Sequence, residues 1–275
     1  AINYFNKSLS IFSPNQRGFI SSINGCSDNA SIISELYCDA MRRKKDIFVT
    51  ALDFKNAFGS VPHDMIINSL IMKGFPNEFI DIIADVYTGS TTKIITPKFA
   101  SNDIDVKRGT KQGCPVSQLL FNLCLEPLFE AINVVNQNDG YNFDPKDKTA
   151  SFSILAYADD IILISNTQKG MERLLHTCDT FCKYSGMELA PSKSCSFGYC
   201  LKDRRRCGLD KGFVINGEEI PFVGLDDSIR YLGTPVAARK VAKLRSSADV
   251  ITKFTTKAMQ IFNSNLLIVQ KIHAF

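Results

Sequence analysis

The pattern of apolar and polar positions divides the chain into predicted strands and helices. Residues 47–54 form an almost continuous apolar run rich in β-branched and aromatic side chains, which predicts a buried strand that ends at the carboxylate of Asp53. Apolar residues at helical spacing follow Pro62, Pro76 and Pro115, and proline suits the first turn of a helix. The first half of the chain is therefore expected to contain a buried strand followed by amphipathic helices.

A second hydrophobic segment, Ser151 to Ser165, has a polar centre at Asp159 and Asp160. Two short apolar runs around a polar tip predict a β-hairpin with buried arms and an exposed acidic tip. The remaining pattern predicts hairpins over residues 92–106 and 213–223, an exposed polar loop over 136–148, a helix over 174–184 and two helical stretches after residue 241.

Composition adds a prediction about solubility and thiols. The 275 residues are 45% apolar, and the sequence lacks an uncharged apolar run of about 18 residues, so we expect a soluble protein with a sizeable core. Nine cysteines lie mostly in apolar segments, as expected of reduced thiols inside a cell. A zinc site is the alternative, but the spacing of the cysteines from Cys178 to Cys207 matches no standard zinc finger.

Positive charge is concentrated in the second half of the chain. The net charge is +4, but residues 183–206 contain six basic and two acidic residues, and residues 239–257 contain six basic residues and one acidic residue. Such clusters suit a surface that follows a phosphate backbone. The alternative for each cluster taken alone is a solvated helix face.

The predicted strand and hairpin would present three carboxylates, those of Asp53, Asp159 and Asp160. Like charges held together raise one another's pKa or require a cation, and oxygen ligands on rigid strands suit Mg²⁺ that also binds substrate phosphates. Two such ions about 3.5–4 Å apart can activate a primer hydroxyl and stabilise a pyrophosphate leaving group. The three residues therefore indicate nucleotidyl transfer.

Three segments that contain these residues occur in a recognisable order. Asp53 to Phe58, Gln112 to Ser117 and Ala156 to Asp160 resemble the successive palm motifs of reverse transcriptases, closest to those of non-LTR retrotransposons. The resemblance runs from about residue 14 to the C-terminus, because three further segments also match: Gln16 to Phe19, Gly186 to Ser194 and Tyr231 to Gly233.

The resemblance implies a role for each matching residue. Asp53 and Asp159 would bind two Mg²⁺ ions, which Mn²⁺ could replace, with the backbone carbonyl of Phe54 as a further ligand and Asp160 completing the acidic cluster. Lys193 would be the acid that protonates pyrophosphate, and the alternative for Lys193 is an ordinary surface lysine.

The residues implied to contact the nucleotide lie in the first two palm motifs. Phe58 would be the steric gate against a ribose 2′-hydroxyl, and the alternative is a core aromatic residue. Asn56 and Ala57 would turn backbone N–H groups to the triphosphate, and Gln112 and Gly113 would lie beside the nucleotide and the template base, where glycine permits close approach.

The residues implied to contact nucleic acid are cations and the hairpin that resembles the primer grip. Arg108 and Lys111 would meet the nucleic-acid backbone or solvent, and Tyr231, Leu232 and Gly233 match the primer-grip motif. The implied partners are an RNA template, a DNA or RNA primer and dNTPs, with no membrane partner.

The implied fold is α+β, a right-hand polymerase with an antiparallel palm sheet backed by helices. We expect part of the fingers over residues 1–46, the palm over 47–235 and the start of the thumb over 236–275. Lys55 and Gly59 depart from the family pattern, which usually has a small polar residue and an acidic residue there. The first fingers motifs are missing, so the chain is interpreted as a part of a larger polyprotein.

The expected activity is RNA-templated DNA synthesis in the retrotransposition of a non-LTR element, inside the cell and in the nucleus if the element is eukaryotic. One alternative is an RNA-dependent RNA polymerase, which the bulk of Phe58 disfavours. Another is a non-catalytic nucleic-acid-binding remnant of a polymerase, which the three intact carboxylates disfavour.

Overall fold

The computed structural model describes residues 11–20, 23–111, 113–144, 147–202, 205–224 and 227–237, with residues 255, 256 and 259. The helices are α1 (Gly25–Arg43), α2 (Ala57–Ser60), α3 (His63–Met72), α4 (Asn77–Tyr87), α5 (Ser117–Val135) and α6 (Gln168–Ser185). The strands of the main sheet are β1 (Ile47–Leu52), β8 (Ile154–Tyr157), β9 (Asp160–Ser165), β10 (Cys195–Lys202) and β11 (Arg205–Cys207). The other strands are β2 (Thr91–Thr92), β3 (Ile95–Thr96), β4 (Phe99–Ala100), β5 (Ile104–Asp105), β6 (Tyr141–Asp144), β7 (Asp147–Phe152), β12 (Val214–Ile215), β13 (Glu218–Glu219), β14 (Ser228–Tyr231) and β15 (Thr234–Ala237).

An antiparallel sheet in the order β11-β10-β1-β9-β8 forms the centre of the molecule. The strand β1 lies between β10 and β9, so it is paired along both edges and is buried, as its continuous apolar run predicts. The α+β class and the antiparallel sheet are as predicted. The cations of residues 239–257 and nearly all of the predicted thumb lie outside the described residues.

Both faces of this sheet are covered, because successive side chains of a strand point to opposite faces. Phe48 and Leu52 on β1 join the core that includes Leu163 of β9 and residues of α3, α5 and α6. Ile47 and Val49 join the opposite core, which includes residues of α1 and of the β14–β15 hairpin. The sheet is thus a rigid layer between two apolar layers.

Local sequence explains where the helices begin and end. Pro62 and Pro76 immediately precede α3 and α4. The side chain of Thr167 caps α6 by accepting a hydrogen bond from the Gly170 N–H (3.0 Å), and the helix ends at Gly186 in the left-handed conformation. The length and apolar composition of α5 would also suit a membrane span, but most of α5 is buried in the core against α3 and α6.

The prediction of an exposed loop over residues 136–148 was wrong. Residues Tyr141–Asp144 pair with Asp147–Phe152 as a hairpin, and Tyr141 is fully buried with its hydroxyl donating to Asp39 Oδ2 at 2.9 Å. The sequence around Tyr141 is polar and does not predict a strand. The strand is buried because it packs against α1, which is distant in the sequence. The hairpins predicted over residues 92–106 and 213–223 are present. None of the nine cysteines, all of which lie among the described residues, forms a disulfide bond.

Candidate active site

Asp53 and the acidic hairpin lie at the same end of the central sheet. The register pairs Leu52 of β1 with Ile161 of β9, so the next positions along the two strands are Asp53 and Asp160. Tyr157 pairs with Asp160, which leaves Ala158 and Asp159 as the two-residue turn between β8 and β9. The pairing of three strands thus brings together carboxylates that are distant in the sequence.

Burial and mutual repulsion disfavour the ionised forms of the hairpin carboxylates. The pKa of Asp159 is raised above its ordinary value by burial and then by the charge of Asp53. The pKa of Asp160 is raised by burial and then by the charges of Asp159 and Asp53. A cation bound at this end of the sheet would favour the ionised forms of both carboxylates.

Among the described residues, no three His, Cys, Asp or Glu side chains are already arranged to hold a metal ion by themselves. In phosphate-transferring sites Mg²⁺ is usually bound by one or two carboxylates together with substrate phosphates and water. Asp159 and Asp160 fit such a site. Burial and repulsion by Asp53 raise their pKa values, so a bound divalent cation would stabilise their ionised forms strongly. The side chain of Phe54 is buried, so Phe54 could contact a cation only through its backbone carbonyl.

The segment from Glu188 to Ser194 holds Asp53 in place. The backbone carbonyl of Asp53 accepts a hydrogen bond from the Ala190 N–H (2.8 Å), and the Asp53 N–H donates to Ser194 Oγ (3.1 Å). Lys193 Nζ lies 4.0 Å from Asp53 Oδ2 and its side chain is largely exposed. Lys193 therefore stands beside the acidic cluster with its ammonium group open to solvent.

Phe58 occupies the first helical turn after Asp53 and lines an open cavity of about 480 Å³. Its ring stacks on the buried ring of Phe121, with centroids 4.3 Å apart, and the remainder of the ring faces the cavity. The sequence did not indicate Phe121, because its contact with Phe58 depends on the packing of α5 against α2. The other lining residues are Phe19, Thr110, Lys111, Gly113, Cys114, Pro115, Ser117 and Gln118.

Two of the predicted nucleotide-binding residues have a left-handed backbone conformation. Asn56 has a φ of 48° and Gly113 a φ of 83°, values at which glycine is favoured. No atom lies within 4 Å of a Cβ added to Gly113, so the conformation and not crowding requires glycine there. Asn56 is exposed, Ala57 is buried, and Gln112 lies outside the described residues.

Two residues predicted to contact nucleic acid have partners within the protein. Arg108 Nη1 donates to the Gly186 carbonyl at 2.6 Å, at the end of α6. Tyr231 is 3% exposed, and its hydroxyl donates to the Asp160 carbonyl at 3.4 Å. The tip of the β14–β15 hairpin consists of Leu232, which is half-buried against the core, and Gly233, which is exposed. The ammonium of the exposed Lys111 lies 5.8 Å from the centre of the Tyr87 ring.

A family model described as reverse transcriptase (RNA-dependent DNA polymerase) matches residues 2–236 of the sequence. The chain belongs to the reverse transcriptase family. The match includes β1, the β8–β9 hairpin and the segment after α6, so it covers every element that positions the carboxylates.

Relatives within the reverse transcriptase family are Pol polyproteins of R2 retrotransposable elements. The chain is 28% identical over 239 residues to the retrovirus-related Pol polyprotein of the type-2 element R2DM of Drosophila melanogaster, covering 86% of this chain and 22% of the relative. It is 31% identical over 214 residues to that of a type-1 R2 element of Popillia japonica, covering 77% of this chain and 34% of the relative. The chain therefore spans a minor part of the length of these relatives, and its reverse transcriptase domain is of the non-LTR type.

Solved structures with a similar fold are telomerases of Candida tropicalis. Truncated apo telomerase matches with a TM-score of 0.55 at 11% identity, covering 86% of this chain and 42% of that chain. Telomerase in complex with a fragment of telomeric RNA matches with a TM-score of 0.52 at 11% identity, covering 95% of this chain and 40% of that chain. These matches confirm the polymerase fold of this reverse transcriptase domain.

Proposed function

We propose that this chain catalyses RNA-templated DNA synthesis by transfer of a nucleotide from a dNTP to a primer 3′-hydroxyl. The observation that carries the proposal is the convergence of Asp53, Asp159 and Asp160 at one end of the central sheet. Family membership and the R2 relatives support it, and they favour a role in the retrotransposition of a non-LTR element.

The carboxylates of Asp53 and Asp159, with Asp160 and the Phe54 carbonyl, would hold two Mg²⁺ ions. Once bound, the ions would lower the pKa of the primer hydroxyl and neutralise charge on the triphosphate. The contribution of the chain is to hold these oxygen ligands on paired strands, so little reorganisation is needed during the reaction. Lys193, which stands 4.0 Å from Asp53, would donate a proton to the departing pyrophosphate.

Phe58 favours a deoxynucleotide over a ribonucleotide as the substrate. The ring is fixed by its stack on Phe121 while it lines the cavity with Gly113, so it would meet a ribose 2′-hydroxyl as a rigid wall. This arrangement disfavours the RNA-dependent RNA polymerase alternative, because RNA synthesis needs space at that position.

The proposed partners are an RNA template, a primer and dNTPs, with Lys111 and the hairpin tip of Leu232 and Gly233 as contacts for nucleic acid. The Pol polyprotein names of the relatives support a larger polyprotein that contains this domain. We further propose that residues 1–46 belong to the fingers, 47–235 to the palm and 236–275 to the thumb. The enzyme would act inside the cell, in the nucleus of a eukaryotic host.

Primer extension tests this proposal. The chain is incubated with Mg²⁺ and a primer annealed to an RNA or a DNA template, with dNTPs or NTPs in separate reactions. Template-dependent extension with dNTPs on RNA is expected. Extension with NTPs at an equal or higher kcat/KM would favour an RNA polymerase, and tight primer–template binding without extension in any reaction would favour a non-catalytic binding domain.

A further inference from the structure

The turn that carries Asp159 contains a residue in an unfavourable backbone conformation. Ala158 has a φ of 53°, a region that favours glycine because a Cβ there crowds the backbone. Such a conformation persists only where the surrounding structure enforces it. The turn has only two residues, Ala158 and Asp159, so the conformation of Ala158 sets the direction of the Asp159 carboxylate.

The side-chain amide of Gln16 binds both backbone polar groups of Ala158. Gln16 Oε1 accepts a hydrogen bond from the Ala158 N–H at 2.8 Å, and Gln16 Nε2 donates to the Ala158 carbonyl at 3.3 Å. The same Oε1 accepts from the Gly18 N–H at 2.8 Å. Gln16 is 1% exposed, so water does not compete for these bonds. A primary amide is suited to this position because it carries an acceptor and a donor on one rigid group.

The backbone on either side of Gln16 is fixed to strand β8. The Ala156 N–H donates to the Asn15 carbonyl and the Arg17 N–H donates to the Ala156 carbonyl, both at 2.9 Å. A Cβ added to Gly18 would lie 2.3 Å from Ala158 N, so glycine is required where this segment crosses the turn. Gln16 is thus held rigidly against the acidic hairpin.

We propose that Gln16 is a positioning residue of the polymerase reaction, which holds Ala158 in the left-handed conformation and so orients Asp159 toward Asp53. The inference rests on the proposed function. Gln16 acts through the backbone of Ala158 and touches no reacting group.

The test compares Gln16→Met with Gln168→Met. Methionine keeps the length of the side chain but removes the amide, and Gln168 is an exposed residue of the first turn of α6, at the far end of β9 from the turn. We expect Gln16→Met to lower kcat for single-nucleotide incorporation about tenfold, equivalent to about 1.4 kcal/mol in the barrier. The Kd for primer–template should change less than about twofold, because Gln16 contacts the backbone of Ala158. Gln168→Met should resemble the wild type.

Hydrogen exchange and a compensating variant separate positioning from general stability. Gln16→Met should speed amide exchange in the peptide that covers residues 155–161 and leave peptides of β10 unchanged. Glycine adopts a positive φ without steric cost, so adding Ala158→Gly to Gln16→Met should restore much of the lost kcat and slow the exchange again.

Each outcome decides the inference. A wild-type kcat in folded Gln16→Met would overturn the inference. It would also be overturned if amide exchange became faster throughout the sheet and the double variant did not recover kcat. If the single variant does not fold, recovery of folding and activity by Ala158→Gly would support the proposal, and failure of the double variant to fold would overturn it. An inactive wild type would refute the proposed function alone, because the exchange measurements would still report whether Gln16 holds the turn.

Discussion

At the scale of single residues, Phe58 is the side chain that we propose selects the sugar of the incoming nucleotide. Phe58→Ala would open space beside the cavity, so we expect the ratio of kcat/KM for dNTP over NTP to fall about tenfold, which corresponds to about 1.4 kcal/mol of lost discrimination. The measurement is single-nucleotide incorporation with each nucleotide class. Phe79→Ala is a matched control, because Phe79 is also half-buried and stacks on another phenylalanine, Phe75, with centroids 5.4 Å apart.

An unchanged ratio in an active, folded Phe58→Ala variant would show that Phe58 serves only the stack on Phe121. A fall of the same size in Phe79→Ala would attribute the effect to general loosening of the core. The ratio is informative because a loss of stability alone lowers both kcat/KM values together.

The carboxylate of Asp160 is expected to destabilise the fold at neutral pH. Because folding raises its pKa above the ordinary 3.8, the unfolded chain loses this proton first as the pH rises. The protonated form therefore stabilises the fold fully below pH 3.8, and that stability is lost as the pH rises through the folded pKa.

We therefore expect Asp160→Asn to raise the free energy of unfolding at pH 7 in the presence of a chelator by up to about 1 kcal/mol, after allowance for solvent screening, and so to raise the melting temperature. The gain should disappear when melting is measured below pH 3.8, where the wild-type carboxyl is protonated in both states. Asp85→Asn on the exposed face of α4 is the control. A lower melting temperature for Asp160→Asn at pH 7 would contradict the account.

At the scale of elements, the end of α6 depends on Arg108. Its guanidinium donates to the Gly186 carbonyl at 2.6 Å, and a cation at a helix C-terminus also interacts favourably with the helix dipole. Arg108→Ala should lower the free energy of unfolding by about 1 kcal/mol and leave primer–template affinity unchanged. Lys107→Ala removes a neighbouring exposed cation and is the control for charge alone.

Melting and binding measured against salt concentration distinguish the two roles of Arg108. If Arg108→Ala melts like the wild type but binds primer–template more weakly, with a shallower slope of log affinity against log salt, the original prediction of a nucleic-acid contact is correct.

Elements defined by local pattern were predicted well from the sequence, and elements defined by long-range contact were not. For example, proline and the apolar spacing within a few residues predict the helices after Pro62 and Pro76. A continuous apolar run predicts the strand from Ile47. The β6–β7 hairpin was missed because Tyr141 is buried by packing against α1 and donates a hydrogen bond to Asp39 there, about a hundred positions away in the sequence. The β8–β9 hairpin was predicted although its turn lacks glycine, since its apolar arms carry the signal.

At the scale of the whole molecule, strand pairing is what turns scattered carboxylates into a site. The spacing of Asp53 and Asp159 along the chain says nothing about their separation in space. Their positions at the end of a buried strand and at a hairpin tip suggested an acidic site, and the motif resemblance indicated that they meet. The register of β1 and β9 supplies the physical reason, because it continues into Asp53 and Asp160. Spacing could not reveal that Gln16 binds the turn, because that contact spans 142 positions.

The central claim is that these carboxylates serve the chemistry and not the binding of nucleic acid. The most direct test measures the rate of single-nucleotide incorporation and the primer–template Kd for Asp53→Asn, for Asp159→Asn and for the exposed control Asp64→Asn, with circular dichroism to verify folding. We expect the first two variants to lose about 10³-fold in rate, or about 4 kcal/mol in the barrier, with an unchanged Kd, while Asp64→Asn resembles the wild type. Incorporation near the wild-type rate by folded Asp53→Asn or Asp159→Asn would contradict the account.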